Sequence, residues 1–180
     1  MAHFGTEKDD HKIMSALALA LVQHPRASLQ ELAKAVGISK ATLYRFCRTR
    51  EELIERLTTY SMAMITAAIE SAELETAPPL EALRKLTMAN LEHKEATSFL
   101  INYCKPDAEE EAKWENRMDG FFLRGQQAGV FRIDIPAAAL TEIWVGLLIG
   151  LVEAERRGRV ARIGIADLFE SAFLRGVAAK

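Results

Sequence analysis

The segment Ser28–Arg50 constrains this chain more than any other stretch. It opens with Ser28-Leu29-Gln30-Glu31, the S-x-x-E form of a capping box. In that motif Ser28 accepts from the Glu31 backbone N–H, and the Glu31 carboxylate reaches back to the N–H of Ser28. The short helix it starts turns Leu32, Ala33 and Val36 inward, and Gly37 closes it where a left-handed residue is needed. After the turn Gly37-Ile38-Ser39, Ser39 caps a second short helix, Lys40–Phe46. Two short helices joined by a glycine-bearing turn make a helix-turn-helix. Ile38 and Leu43 point inward and hold the angle between the helices. Lys40, Thr42, Tyr44 and Arg45 are left on the outside.

The rest of the sequence also reads as helix. Ala, Leu, Glu, Arg and Lys dominate, and apolar residues recur every three or four positions. A first helix is expected over about 10–23, with Ile13, Leu17 and Leu21 buried. His24-Pro25 ends it, because the residue before proline avoids the helical region. Thr49-Arg50-Glu51-Glu52 is read as a second capping box, opening a long helix through Leu53, Leu57, Met64 and Ile69. Ala77-Pro78-Pro79 is the next break. Further helices are expected over roughly 80–93, 96–103, 107–127, 136–157 and 165–177. Val130–Ile135 is a short connector bounded by Gly129 and Pro136. The expected fold is all-α with about nine helices. Residues 1–53 would be a three-helix domain, with the helix-turn-helix at about 28–47. Residues 54–180 would be a second helical domain.

With 180 residues, 49% of them hydrophobic, the chain can bury a substantial core. Its net charge of −2 does not suit a molecule coated for nucleic acid. The charge is uneven, however: residues 1–60 carry nine Lys/Arg against seven Asp/Glu, and the remainder fourteen against eighteen. Between Leu32 and Arg50 lie Lys34, Lys40, Arg45, Arg48 and Arg50, with no acidic residue. A local basic patch on a mildly acidic body fits one anionic partner surface. Cys47 and Cys104 are too far apart for a metal-binding spacing and suggest no disulfide framework, which points to a reducing cytoplasm. The first ten residues have no apolar signal segment. The apolar run Ile143–Val152 is too short to cross a bilayer and reads as a buried helix.

Double-stranded DNA is the partner whose surface answers these features. A helix fits the major groove, and hydroxyl and guanidinium groups on its early turns reach base edges. Helix N-termini present free N–H groups and partial positive charge to phosphates. Helices here begin at Ser28, Ser39 and Thr49. Ser28, Tyr44 and Arg50 are assigned to phosphates, with the cap residue Ser39 beside them. Lys40, Thr42 and Arg45 are assigned to base edges or mixed contacts.

The stretch Ala33–Leu53, AKAVGISKATLYRFCRTREEL, resembles the signature of the TetR (tetracycline-repressor-like) family. Ala33, Gly37, Ile38, Ser39, Thr42, Leu43, Tyr44, Glu51 and Leu53 match it in register. The resemblance implies recognition-helix contacts at Lys40, Thr42, Tyr44 and Arg45, and a backbone contact at Arg50. The usual Phe after the recognition helix is replaced by Cys47, with the aromatic moved to Phe46. The common Lys is Arg50. The link between the first two helices is shortened and lacks the usual Gly-aromatic. Beyond the first third, the resemblance rests on helix count, on length and on the lead-in Gly125–Asp134.

A symmetric operator requires a dimer. The apolar run Ile143–Val152 and the stripe on the last helix are expected to make a four-helix seam, with Trp144, Leu147, Leu148, Leu151, Phe169 and Phe173 at the interface. The resemblance implies the same arrangement. A sensing pocket for a small apolar or aromatic effector is expected among Met62, Met88, Phe99, Tyr103, Trp114, Met118, Phe121 and Phe122, since methionine and aromatic side chains make adaptable walls. Taken one by one, each of these is more often plain core. His93 and Asn102 are possible polar anchors. Binding of that effector would shift the population toward dimers whose recognition helices are too far apart for one turn of DNA. The sequence has no phosphate loop, metal-ligand spacing or nucleophile motif, so no catalytic residue, cofactor or metal is expected. Two rival readings are a helical interaction module that never touches DNA and, more weakly, a small-molecule-modifying enzyme.

Overall fold

The computed structural model describes residues 7–105 and 108–177. Among these residues it contains nine helices: α1 (Glu7–Gln23), α2 (Leu29–Val36), α3 (Lys40–Phe46), α4 (Arg50–Ser71), α5 (Pro79–Glu92), α6 (Lys94–Tyr103), α7 (Ala108–Gln127), α8 (Ala137–Arg156) and α9 (Ile165–Val177). No strand is present among them. The expected helix start at Asp107 lies outside the described residues.

The chain packs as two compact units. The first takes the described residues up to Ile65 together with His93–Lys105, and the second takes Thr66–Glu92 and the described residues after Pro106. By packing, then, the first unit does not end at residue 53. Leu53 and Leu57 of α4 are fully buried in the same cluster as Leu17, Leu21, Leu32 and Leu43. α6 lies along α1 and adds Phe99 to that core. Phe99 stacks on Tyr103 with ring centroids 5.0 Å apart, and the Tyr103 hydroxyl donates to the Leu21 carbonyl oxygen at 2.9 Å.

In the second unit α8 packs on α7 and α9, and α5 joins all three. Aromatic rings fill the interior. Phe122 lies within 5.4 Å of Phe131 and 5.9 Å of Phe173, Phe169 lies 5.8 Å from Phe173, and Trp144 lies 6.1 Å from Phe169 (centroid distances). The Trp144 indole N–H donates to the buried Thr87 hydroxyl at 3.1 Å, which satisfies a polar group that would be costly to leave alone. The connector after α7 reaches this core through Phe131. Gln126 holds it by donating to the carbonyl oxygens of Arg132 (2.6 Å) and Ile135 (2.7 Å). The Arg132 backbone N–H donates to Val177 at the end of α9.

Candidate nucleic-acid interface

Local chemistry builds the helix-turn-helix residue by residue. The first capping box is complete: Glu31 N donates to Ser28 Oγ at 3.3 Å, and Ser28 N donates to Glu31 Oε2 at 2.7 Å. The Ser28 backbone N–H, and behind it the Ser28 hydroxyl, hold the Glu31 carboxyl below its ordinary value. Gly37 takes the left-handed conformation, φ 74° and ψ 26°, and α2 closes through the Ile38 N–H donating to Ala33 O at 3.0 Å. Ser39 caps α3 by accepting from Thr42 N at 3.0 Å, and the two hydroxyls bond to each other at 2.8 Å.

The second capping box is only half formed. Glu52 N donates to Thr49 Oγ1 at 3.1 Å, but the Glu52 carboxylate accepts from Arg48 N at 2.8 Å, one residue before the expected partner. The extended Cys47 (φ −157°) ends α3, and the chain runs straight from it into α4.

On α3, Leu43 is fully buried while Lys40, Arg45 and Tyr44 (41% exposed) face out. Thr42 is half-buried. The Lys40 ammonium lies 5.4 Å from the centroid of the Tyr44 ring, close enough for the ring face to hold the cation. Cys47 is buried at the family's usual Phe position, and burial pushes its thiol above the ordinary value, so it acts as a small neutral core side chain. Phe46 packs against the same core from a half-buried position and compensates for the missing ring.

Two of the expected contact residues also bond within their own chain. Both Ser28 donors go to Glu31, the hydroxyl at 2.8 Å. Its place is to fix the start of α2. Arg50 donates from Nη1 to Ala27 O at 2.8 Å and from Nη2 to Pro25 O at 2.6 Å, which ties α4 to the loop between α1 and α2. A guanidinium has five N–H donors, so this tie leaves some of them for an anion. The sequence pattern gave Arg48 no role of its own. The structure places it exposed beside the α4 N-terminus, on the same basic stretch as Arg45.

The expected pocket residues do not gather around one space. Met62, Phe99 and Tyr103 belong to the first unit, and Met88, Trp114, Met118, Phe121 and Phe122 to the second. Phe99, Met118, Phe121 and Phe122 are closed into apolar cores, because each aromatic ring finds a neighbouring ring or aliphatic side chain to pack on. Met62 and Met88 are exposed and Trp114 is half-buried. In the second unit a cleft of about 240 Å³ opens between α5 and α9, lined by Leu83, Arg84, Thr87, Met88, Phe169 and Glu170 among others. Met88 is the only expected pocket residue on its wall.

The expected dimer residues also divide. Trp144, Leu148, Phe169 and Phe173 are buried in their own chain. At 100° per residue, positions 144, 148 and 152 share the side of α8 that the core occupies. Positions 143, 146 and 150 form the other side, and 147 and 151 lie on the border between the two. Ile143, Gly146 and Gly150 there are exposed, and Leu147 and Leu151 are half-buried. Exposed Leu168 on α9 carries a further apolar side chain. α8 is therefore not covered all round. The ten-residue apolar run lies inside a helix of 20 residues, and by length and composition alone that helix would suffice to cross a bilayer.

No family model matches the chain. It is similar to the HTH-type transcriptional regulator NfxB of Pseudomonas aeruginosa, with 47% identity over 174 residues covering 93% of each protein. A second relative, the HTH-type transcriptional repressor LfrR of Mycolicibacterium smegmatis, is 31% identical over 86 residues, about half of each chain. Among solved structures, the fold is similar to the ketosteroid transcriptional regulator KstR2 of Mycobacterium tuberculosis, with a TM-score of 0.71, 16% identity and 99% of each chain covered. It is also similar to the TetR-like regulator LfrR in complex with proflavine, from the organism there called Mycobacterium smegmatis, with a TM-score of 0.63, 23% identity, and 94% of this chain and 97% of that one covered. With the capped helix-turn-helix and its matching signature, these relationships establish that the chain belongs to the TetR family of helix-turn-helix transcriptional regulators.

Proposed function

We propose that the protein represses transcription in the cytoplasm by binding a palindromic operator as a homodimer, and that a small apolar or aromatic molecule releases it. The observation that carries this reading is the polarity of α3, with Leu43 sealed in the core and Lys40, Tyr44 and Arg45 outside. In this reading α3 enters the major groove. Lys40, Thr42 and Arg45 address base edges, and Tyr44, Arg50 and the helix start at Ser39 address phosphates. Residues 1–53 hold the DNA-reading elements, and 54–180 carry sensing and dimerisation.

The dimer reading is supported by the open apolar side of α8, which repeats at three- and four-residue steps and includes two glycines that permit close approach. The effector reading is supported by the cleft between α5 and α9 and by the planar aromatic ligand, proflavine, bound to the LfrR relative. An effector that prefers the dimer with spread recognition helices draws the population away from the spacing of about 34–36 Å that one turn of DNA demands.

A gel shift with duplex from the region upstream of the protein's own gene tests the DNA step. Adding proflavine as a first probe tests release. Specific retardation that proflavine reverses is expected. Proflavine bound with undiminished DNA affinity would remove it from the class of effectors.

A further inference from the structure

Three side chains from distant parts of the sequence meet in the first unit: His11 on α1, Met64 on α4 and His93 at the start of α6. His11 Nε2 lies 3.2 Å from Met64 Sδ. The Tyr60 hydroxyl donates to the His11 carbonyl oxygen at 3.3 Å, and its oxygen sits 3.0 Å from His11 Nδ1. The same hydroxyl oxygen lies 3.2 Å from Nε2, so it sits beside both nitrogens of the His11 ring. Nε2 and the thioether sulfur, each able to ligate a metal, face each other across 3.2 Å. The His93 ring centroid is 6.2 Å from that of His11, and no hydrogen bond engages its nitrogens among the described residues.

We infer that His11, Met64 and His93 form a site for a soft monovalent cation, Cu(I), held by two imidazole nitrogens and one thioether. The donor set selects the ion. All three donors are neutral, which favours a singly charged cation, and a thioether is a soft ligand suited to Cu(I). No group of three His, Cys, Asp or Glu side chains offers a metal site among the described residues, so harder ions lack their usual ligands.

The dimensions agree. Bonds of about 2.0 Å to nitrogen and about 2.3 Å to sulfur place ligating N and S about 3.5 Å apart at a tetrahedral angle. Two imidazoles on one ion at a wide angle have centroids about 6 Å apart. Tyr60 is the positioning residue, orienting His11 as an outer partner orients a metal-ligating imidazole. Residues 11, 64 and 93 are too widely spaced for any sequence motif to reveal the set. Occupation would join α1, α4 and α6, the helices that carry the core behind the recognition helix. This inference does not depend on the proposed effector.

The test is anaerobic titration of the full-length protein with Cu(I), buffered by a chromophoric Cu(I) chelator. Ring-nitrogen NMR of His11 and His93 is followed in parallel. One equivalent should bind, with both histidines shifting. His11→Ala, Met64→Leu and His93→Asn should each raise the Kd at least roughly tenfold, with thermal unfolding showing that each variant is folded. Cys104→Ser should leave the affinity unchanged. Binding that survives Met64→Leu and His93→Asn but disappears in Cys104→Ser, or no stoichiometric binding at all, would overturn the site.

Discussion

Arg50 donates from Nη1 to the carbonyl oxygen of Ala27 at 2.8 Å, so the first residue of α4 holds the end of the loop that leads into α2. The same side chain reaches Pro25, so one guanidinium fixes a turn 25 residues earlier in the chain. Arg50→Ala should therefore act twice. Losing two charge-assisted hydrogen bonds at a half-buried site should lower stability by about 1–3 kcal/mol. Operator affinity should fall as well, because the start of α2 and any phosphate contact are both disturbed. Denaturant unfolding and anisotropy titrations on the same preparations separate the two effects. An unchanged unfolding midpoint would show that the tie does not contribute.

Gly125 lies inside α7 directly against the Phe131 ring, and a Cβ there would overlap ring carbons. Phe131 cannot retreat easily, since it is buried and packs on Phe121 and Phe122. Gly125→Ala should cost about 1–3 kcal/mol through overpacking, despite alanine's better helix propensity. Adding Phe131→Leu should recover part of the loss in a double-mutant cycle. Strict additivity of the two substitutions would contradict the contact.

The capping box at Ser28 predicts a pH signature. Glu31 has its carboxyl lowered in the folded state by the Ser28 N–H and hydroxyl. A lowered folded-state pKa contributes stability above the unfolded value, near 4.5, and that contribution disappears as pH falls through the lower folded value. Ser28→Ala should lower the melting temperature at neutral pH and flatten the acid limb below about pH 4.5. Wild type and variant should converge at the most acidic pH where both still fold. A constant gap across that range would exclude the linkage.

Leu147, half-buried, borders the open side of α8 that Ile143, Gly146 and Gly150 form. Leu147→Glu should leave helicity intact and convert a dimer to a monomer in sedimentation velocity, with operator affinity falling by roughly tenfold or more. Leu148→Ala, one residue on, is buried in its own chain. It should instead cost about 2–5 kcal/mol of stability. A Leu147→Glu protein that remains dimeric would move the interface elsewhere.

The helix-turn-helix was readable in the sequence because its determinants are local. Ser28 with Glu31, Gly37, and Ser39 with Thr42 each act within three or four residues, and each forms as the pattern implies. What could not be read depends on chain return. The Arg50 tie needs the turn at Pro25, which no spacing rule connects to residue 50. Glu52 caps Arg48 rather than Thr49 because the extended Cys47 brings the Arg48 N–H within reach, a matter of one residue's geometry. The run Ile143–Val152 of α8 is apolar all round, so its pattern gives no sign of which side the core takes. Trp144 and Leu148 therefore looked as suitable for a partner as Leu147. The aromatic residues from Phe99 to Phe122 are dense in sequence, but they divide between two cores. α6 was invisible as part of the first unit because its sequence neighbours, α5 and α7, belong to the second.

The most direct measurement is fluorescence anisotropy of the full-length protein and Arg45→Ala on a labelled duplex from upstream of its own gene and on a scrambled duplex, across a salt series. The wild type should prefer the upstream duplex by about a thousandfold or more. Arg45→Ala should lose affinity, with a salt slope shallower by about one if Arg45 pairs with a phosphate, or a relaxed sequence preference if it reads a base. Equal affinity for both duplexes, with Arg45→Ala indistinguishable from wild type, would contradict the assignment of α3 as the DNA-reading helix.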